Sequence, residues 1–230
     1  VFGDLDRALA DARAAGRTYR RLGILRDAAH ISLISSRWLI EKGLITDARV
    51  ALDRARSHFS SIRDRTTVRR IDVDRAAVSI REGRWSEAAS SLRRLQAELD
   101  RTDPDTGLRC RVLLAEIDRR EDRLGSALRR ARRALADARG PWRRFERPAI
   151  AILIARIHAR AGRSAEARRW ARRAARDLES LGRSTESEFL RQSLWTRRID
   201  VIREAVAIVL EHGGQRAERD ALTLLIRARS

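Results

Sequence analysis

Alanine recurs at Ala8, Ala48, Ala88, Ala127 and Ala167, at spacings of 40, 40, 39 and 40 residues. Four of these alanines close a six-residue string that opens on glycine: GDLDRA at Gly3–Ala8, GLITDA at Gly43–Ala48, GRWSEA at Gly83–Ala88 and GRSAEA at Gly162–Ala167. The remaining one closes DRLGSA at Asp122–Ala127, where Gly125 is displaced into the turn. Random composition does not produce such a ladder. A period of this size means supersecondary units that cannot bury their apolar faces alone and must stack on their neighbours.

The segments between the marks carry helical periodicity. After each turn, small or aliphatic residues recur at three- and four-residue steps: Ala48, Leu52, Ala55; Ala88, Leu92, Leu95; Ala127, Ala131, Ala134; Ala167, Ala171, Ala174. So narrow a stripe of small side chains lets a neighbouring helix approach closely. Before each turn runs a more aliphatic helix, Ile31 to Ile40, Val68 to Ile80, Leu108 to Ile117 and Ile150 to Ile157. Thr46, Ser86 with Glu87, and Ser164 with Glu166 stand where helix-start residues belong, and glycine ends the preceding helix in a left-handed conformation. The expected fold is all-α, an α-solenoid of antiparallel helix pairs with a period of about 40 residues. Residues 1–21 supply only the second helix of a pair, so its apolar face needs cover from preceding chain or from another molecule, and a contact at that end is expected.

The pattern of Gly, four residues, Ala, then small or aliphatic positions resembles the second half of a tetratricopeptide repeat, in a variant longer than the usual 34 residues. The tryptophan, tyrosine and proline of the usual consensus are mostly missing. Residues 1–183 form the repeats, the first incomplete. Residues 184–230 break the period: 184–212 read as one long helix or two short ones from Ser184 to Leu210, Gly213-Gly214 as a turn, and Ala217–Arg229 as a last helix. The strings IDVIREAVAIVLEHGG at Ile199–Gly214 and ALTLLIRARS at Ala221–Ser230 resemble the helical pair that joins tetratricopeptide repeats to a CHAT domain, a caspase-like cysteine peptidase module. The resemblance implies a peptidase beginning after Ser230, with its catalytic histidine and cysteine outside this chain.

The residues present suggest no catalytic site. A nucleophile needs a base within reach and a group to orient it. Cys110 sits inside an apolar helix, and His30, His58, His158 and His212 lie in different repeats, which gives neither a triad nor a metal-ligand spacing. Asp72 and Asp74, among Arg69, Arg70 and Arg75, read as a solvated face. No cofactor or metal is expected. The longest uncharged central stretch, Pro148–Ala155, is far too short to span a bilayer, and a lone cysteine implies no disulfides, so a cytoplasmic location is expected.

Charge is the remaining clue. The chain carries 51 basic and 32 acidic side chains, a net charge of +19, and Lys42 is its one lysine. From Arg119 to Arg176 there are 19 arginines against five acids. Near-total arginine reads as much like the codon habit of a GC-rich genome as like a binding surface. The block itself reads as the solvated outer face of the second helices or as a field for an anionic partner, nucleic acid included. Trp142, Arg143, Arg144 and Phe145 place aromatics among its arginines, as a stacking or cation–π contact would. In tetratricopeptide-like packing the first helix of each pair lines the groove, and the repeat register puts Arg37, Glu41, Arg81, Glu116, Arg120, Arg156 and Arg160 there, a mixed set suited to a protein or peptide partner. The expected function is a non-catalytic scaffold that binds a protein and regulates an attached CHAT peptidase. The alternatives are the sensor arm of a large signal-transducing transcription regulator, or nucleic-acid binding through the Arg119–Arg176 block.

Overall fold

A computed structural model describes residues 3–140, 143–183, 188–212, 214 and 217–229. They form helices α1 (Gly3–Arg21), α2 (Leu25–Glu41), α3 (Ile45–Ser61), α4 (Arg65–Arg81), α5 (Trp85–Thr102), α6 (Pro104–Arg120), α7 (Leu124–Asp137), α8 (Arg147–Arg160), α9 (Ser164–Arg183), α10 (Glu188–His212) and α11 (Ala217–Arg229). A 3-10 turn, Arg143–Glu146, precedes α8. Among the described residues there is no strand. The fold is all-α, with consecutive helices packed pairwise in the manner of a solenoid. Two compact units divide at Cys110 and Arg111, inside α6, whereas the boundary at 183/184 drawn from the sequence marks a change of repeat pattern.

The corners explain the period. At the end of α2, Gly43 takes φ 75°, its N–H donates to Ile40 O, and the next N–H, of Leu44, donates to Leu39 O. These two bonds are the Schellman closure of a helix. Leu44 is at the same time the N-cap of α3, because its carbonyl accepts the first helical bond, from Ala48 N. The same pattern closes α1 at Gly23, α3 at Arg63, α4 at Gly83, α6 at Asp122 and α8 at Gly162. One motif therefore stops a helix and starts the next, with three residues between 17-residue helices.

The expected start signals are displaced. Thr46 and Ser86 lie inside α3 and α5, whose N-caps Leu44 and Arg84 make no side-chain cap. Ser164 is the first residue of α9, and its Oγ lies 3.5 Å from His212 Nδ1. The closure of the preceding helix selects the N-cap by position, so a polar side chain there is optional. Asp64 supplies one, accepting from Thr67 N at 3.0 Å. Gly125 is the second residue of α7, not the turn glycine, and Asp122 at φ 60° takes the left-handed role.

The corner from α5 to α6 departs from the rule and accounts for the 39-residue spacing. Helix α5 has 18 residues, and Asp103 alone links it to Pro104 of α6. Asp103 receives Thr106 N at 3.2 Å and Thr106 Oγ1 at 2.8 Å, capping α6. A Cβ on Gly107 would lie 2.8 Å from Asp100 Oδ1 and 3.2 Å from Asp100 N, so α6 starts this close only because residue 107 has no side chain.

Burial separates two kinds of helix. In α3, α5, α7 and α9 a single stripe is buried, and Ala48, Leu52, Ala55, Leu92, Ala127, Ala131, Ala134, Ala167, Ala171 and Ala174 have no exposed surface. Helices α4 and α8 are buried on several sides; in α8, residues 150 to 155 are buried without a break. Hence the alternation of alanine-striped and aliphatic helices. Within one unit the core gathers Leu33, Leu52, Phe59 and Ile71; within the other, Ile152, Ala171, Val201 and Val209. The terminal segment holds one long helix, α10; Ser184 and Gly213 lie outside the described residues.

Two substitutions test the corners in opposite directions. Arg63→Gly removes a left-handed non-glycine residue and is expected to raise stability by about 0.5–1 kcal/mol in urea unfolding. Gly107→Ala, which would favour an exposed helix, is expected instead to lower it by about 1–2 kcal/mol because of the crowding against Asp100.

Candidate functional site

Helices α2 and α4 pack side by side within the first unit. Asp74 of α4 lies three residues after Ile71 and four before Val78, on the face that both bury, and is itself 0% exposed. Arg37 of α2 donates to Asp74 Oδ2 at 3.2 Å, and Arg109 pairs with Oδ1. The two arginine side chains stay 52% and 37% exposed. A buried carboxylate thus holds two guanidinium groups at the surface, and Arg37, bound through Nε, keeps its outer edge turned to solvent. This overturns the reading of Asp72 and Asp74 as a solvated face: Asp74 is buried, and Asp72 is a partner of Arg56 on α3 at 2.7 Å. Glu41 and Arg81 are exposed and make no ion pair among the described residues.

In the second unit the candidate residues converge on Glu116. Arg119 Nη2 approaches it at 2.8 Å, Arg120 Nε at 3.2 Å and Arg156 Nη1 at 4.0 Å, while Arg156 also pairs with Glu204 of α10 at 2.9 Å. Burial pushes the Glu116 carboxyl up, but the hydrogen bond and charge of Arg119, then Arg156 and Arg120, outweigh it and leave the pKa lowered. Arg160 stands apart, on Asp122 at 3.0 Å. Two residues further along α6, buried Asp118 accepts from Arg123, Ser126 and Arg130 at 2.7 to 2.9 Å. Burial raises its pKa too, and those three donors bring it below the ordinary value.

The basic block changes character once folded. Arg130, Arg147, Arg156 and Arg172 pair with Asp118, Asp177, Glu204 and Asp220, acids that lie outside Arg119–Arg176 in sequence. Trp142 lies outside the described residues. Arg143, Arg144 and Phe145 belong to the 3-10 turn, with the Arg144 guanidinium 5.4 Å from the Phe145 ring centre. Cys110 is buried and donates to Leu92 O at 3.3 Å. Among the described residues no group of histidine, cysteine, aspartate and glutamate is disposed to hold a metal, and no helix is long and apolar enough to cross a membrane.

Sequence reasoning missed a cleft between α3 and α5, floored by α4, of about 670 Å³. Arg49, Arg56, Arg75, Arg84, Arg93 and Arg94 line it, with Asp72 and Glu87. The signal in the sequence was the seven-residue step from Arg49 to Arg56, flanking buried Leu52 on one helix face.

No family model matches the chain, and no curated protein matches it. The crystal structure of BtubC (BKLC) from P. vanneervenii is similar, with a TM-score of 0.66 and 16% identity, covering 98% of this chain and 89% of that chain. At such low identity the likeness shows the fold alone.

Acid should destabilise the second unit in two stages. His158 is buried with neither ring nitrogen bonded; burial lowers its pKa, Arg132 and Arg163 add to that, and Glu166 opposes. An unfolded histidine protonates first, so stability falls as the pH drops below about 6.5 and levels off beneath the folded pKa. His158→Leu should flatten this stage in thermal melts. Asp118 and Glu116, lowered on folding, contribute stability above the ordinary carboxylate range that is lost as the pH falls through their folded values. Asp118→Ala is expected to cost about 2–4 kcal/mol at neutral pH by stranding three donors.

Proposed function

We propose that this chain is a non-catalytic helical-repeat scaffold of the cytoplasm that binds an acidic segment of a protein partner through α2, α4 and the start of α6. The observation that carries this reading is the Arg37–Asp74–Arg109 row, in which arginines from two helices are aligned by a buried carboxylate of a third. Much of the ordering cost of a long cationic side chain is met before any partner arrives, and the outer edge of the Arg37 guanidinium matches a carboxylate with two N–H groups at once. Exposed Arg81 extends the same chemistry along α4. Repetition supports the reading as well, since equivalent helices offer an extended segment several weak contacts instead of one deep pocket.

The Ile199–Gly214 and Ala221–Ser230 strings support a second step, in which the scaffold reports partner binding to an attached CHAT-type cysteine peptidase. The stack would bend slightly on binding and pass that bend through its terminal helix pair, shifting an equilibrium that favours the silent effector. Direct nucleic-acid binding has weaker support, because the basic block is threaded by acids from its flanks.

Fluorescence anisotropy with labelled glutamate-rich peptides tests the first step. Binding is expected to weaken about tenfold or more in an Arg37→Glu, Arg81→Glu double variant, as loss of two charge contacts implies; unchanged affinity removes the reading. Peptide mapping of the native polypeptide tests the second, which requires a histidine and a cysteine beyond Ser230 and fails if the native chain stops there.

A further inference from the structure

The α3/α5 cleft has an internal counterpart. Helix α9 repeats α5 at an offset of 79 residues, so Ala88, Leu92 and Leu95 correspond to Ala167, Ala171 and Ala174. In that register Ser91 corresponds to Trp170, Arg93 to Arg172 and Arg94 to Arg173. In α9 all three positions are committed: Trp170 packs against the core, Arg173 lies 4.8 Å from the indole centre, and Arg172 pairs with Asp220. In α5 the indole is replaced by a hydroxymethyl group. Arg93 and Arg94 are exposed there and form no ion pair among the described residues.

The rest of the cleft is built around the space so left. Small side chains, Ala76, Ser79, Ala88, Ser90 and Ser91, line it with Leu52 and Val78. Arg56 is fixed by Asp72 at 2.7 Å and Arg75 by Asp53 at 3.1 Å. At the other end Arg84 is tied to Glu82 at 2.5 Å and to Glu87 at 2.9 Å, and Arg49 reaches Glu82 at 3.8 Å. With Asp53 and Glu82 counted, six arginines still exceed four carboxylates. The surplus lies with Arg93 and Arg94, which line one cavity with the anchored Arg56 and Arg75. A volume of about 670 Å³ is that of a small-molecule site. Among the described residues no aromatic lines it, which leaves a base no ring there on which to stack.

We propose that the α3/α5 cleft binds a small phosphate-bearing polyanion, with Arg56, Arg75 and Arg94 on its phosphates and the hydroxyls of Ser90 and Ser91 beside them. Guanidinium forks match phosphate oxygens in pairs, and the anchored arginines present them already oriented. This site is independent of the protein-binding row on α2 and α4.

Calorimetric titration of the whole chain with inorganic tripolyphosphate tests it. The expected result is saturable one-site binding with Kd of about 0.1 mM or tighter. Arg94→Gln, an exposed change that spares the core, and Ser91→Trp, which refills the space as Trp170 does, should each weaken it about tenfold or more. Arg129→Gln, exposed on α7, should leave it unchanged, and citrate should bind more weakly than tripolyphosphate. Absence of saturable binding, or equal affinity in Arg94→Gln, overturns the site. Equal affinity for citrate overturns the phosphate class. Glutamate-rich peptide binding that survives Ser91→Trp keeps this result separate from the fate of the scaffold reading.

Discussion

The corner hydrogen bonds to Leu39, Ser79, Asp118 and His158 carbonyls are the constraint on which the rest is built. Each closes an inner helix and, through the carbonyl one residue beyond the left-handed position, opens the outer helix that packs on it. Helix length, the point of reversal and the phase of the next helix are thereby set together. With phase fixed, the buried stripe of the outer helix has to fall on the same heptad-like positions every time, and alanine there allows the close approach that the three-residue corner imposes. Larger residues are accommodated on the inner helices, which have neighbours on more sides.

This coupling explains how much of the fold was legible in the sequence. Glycine at 43, 83 and 162 and alanine five residues later report the corner and the stripe directly. Arg63 and Asp122 do the same job with side chains that give no such signal, since a left-handed conformation costs arginine or aspartate only about a kilocalorie per mole. The start signals misled for a related reason. Serine and threonine mark a helix entered from an open loop, whereas these helices are entered from another helix's closure. Asp103 is the revealing exception, for it caps the one corner described here where a single residue joins two helices.

The candidate site was less legible, because its partners are distant in sequence. Arg37 and Asp74 are separated by 37 residues, Arg160 and Asp122 by 38, Arg172 and Asp220 by 48. The first two separations are close to one repeat, so those pairs are rungs between neighbouring hairpins, and none of the three is visible to a local window. A count of charge along the chain therefore overstated the Arg119–Arg176 field and missed the Arg93–Arg94 surplus. Asp74 carried the clearest overlooked signal: a carboxylate in line with Ile71 and Val78 has to be buried, and a buried carboxylate has to be paired.

The 18-residue α5 and the one-residue link after it shorten that repeat by one position, yet Ala127 and Ala131 beyond it are as fully buried as Ala48 before it. Each corner resets the rotation of the chain, so a lost residue is absorbed where it occurs and no later helix turns its stripe to solvent. Evolution can therefore lengthen or trim individual hairpins without recoding those downstream. A chain of this design is free to diversify one hairpin's surface at a time, as Ser91 and Trp170 illustrate on a shared scaffold.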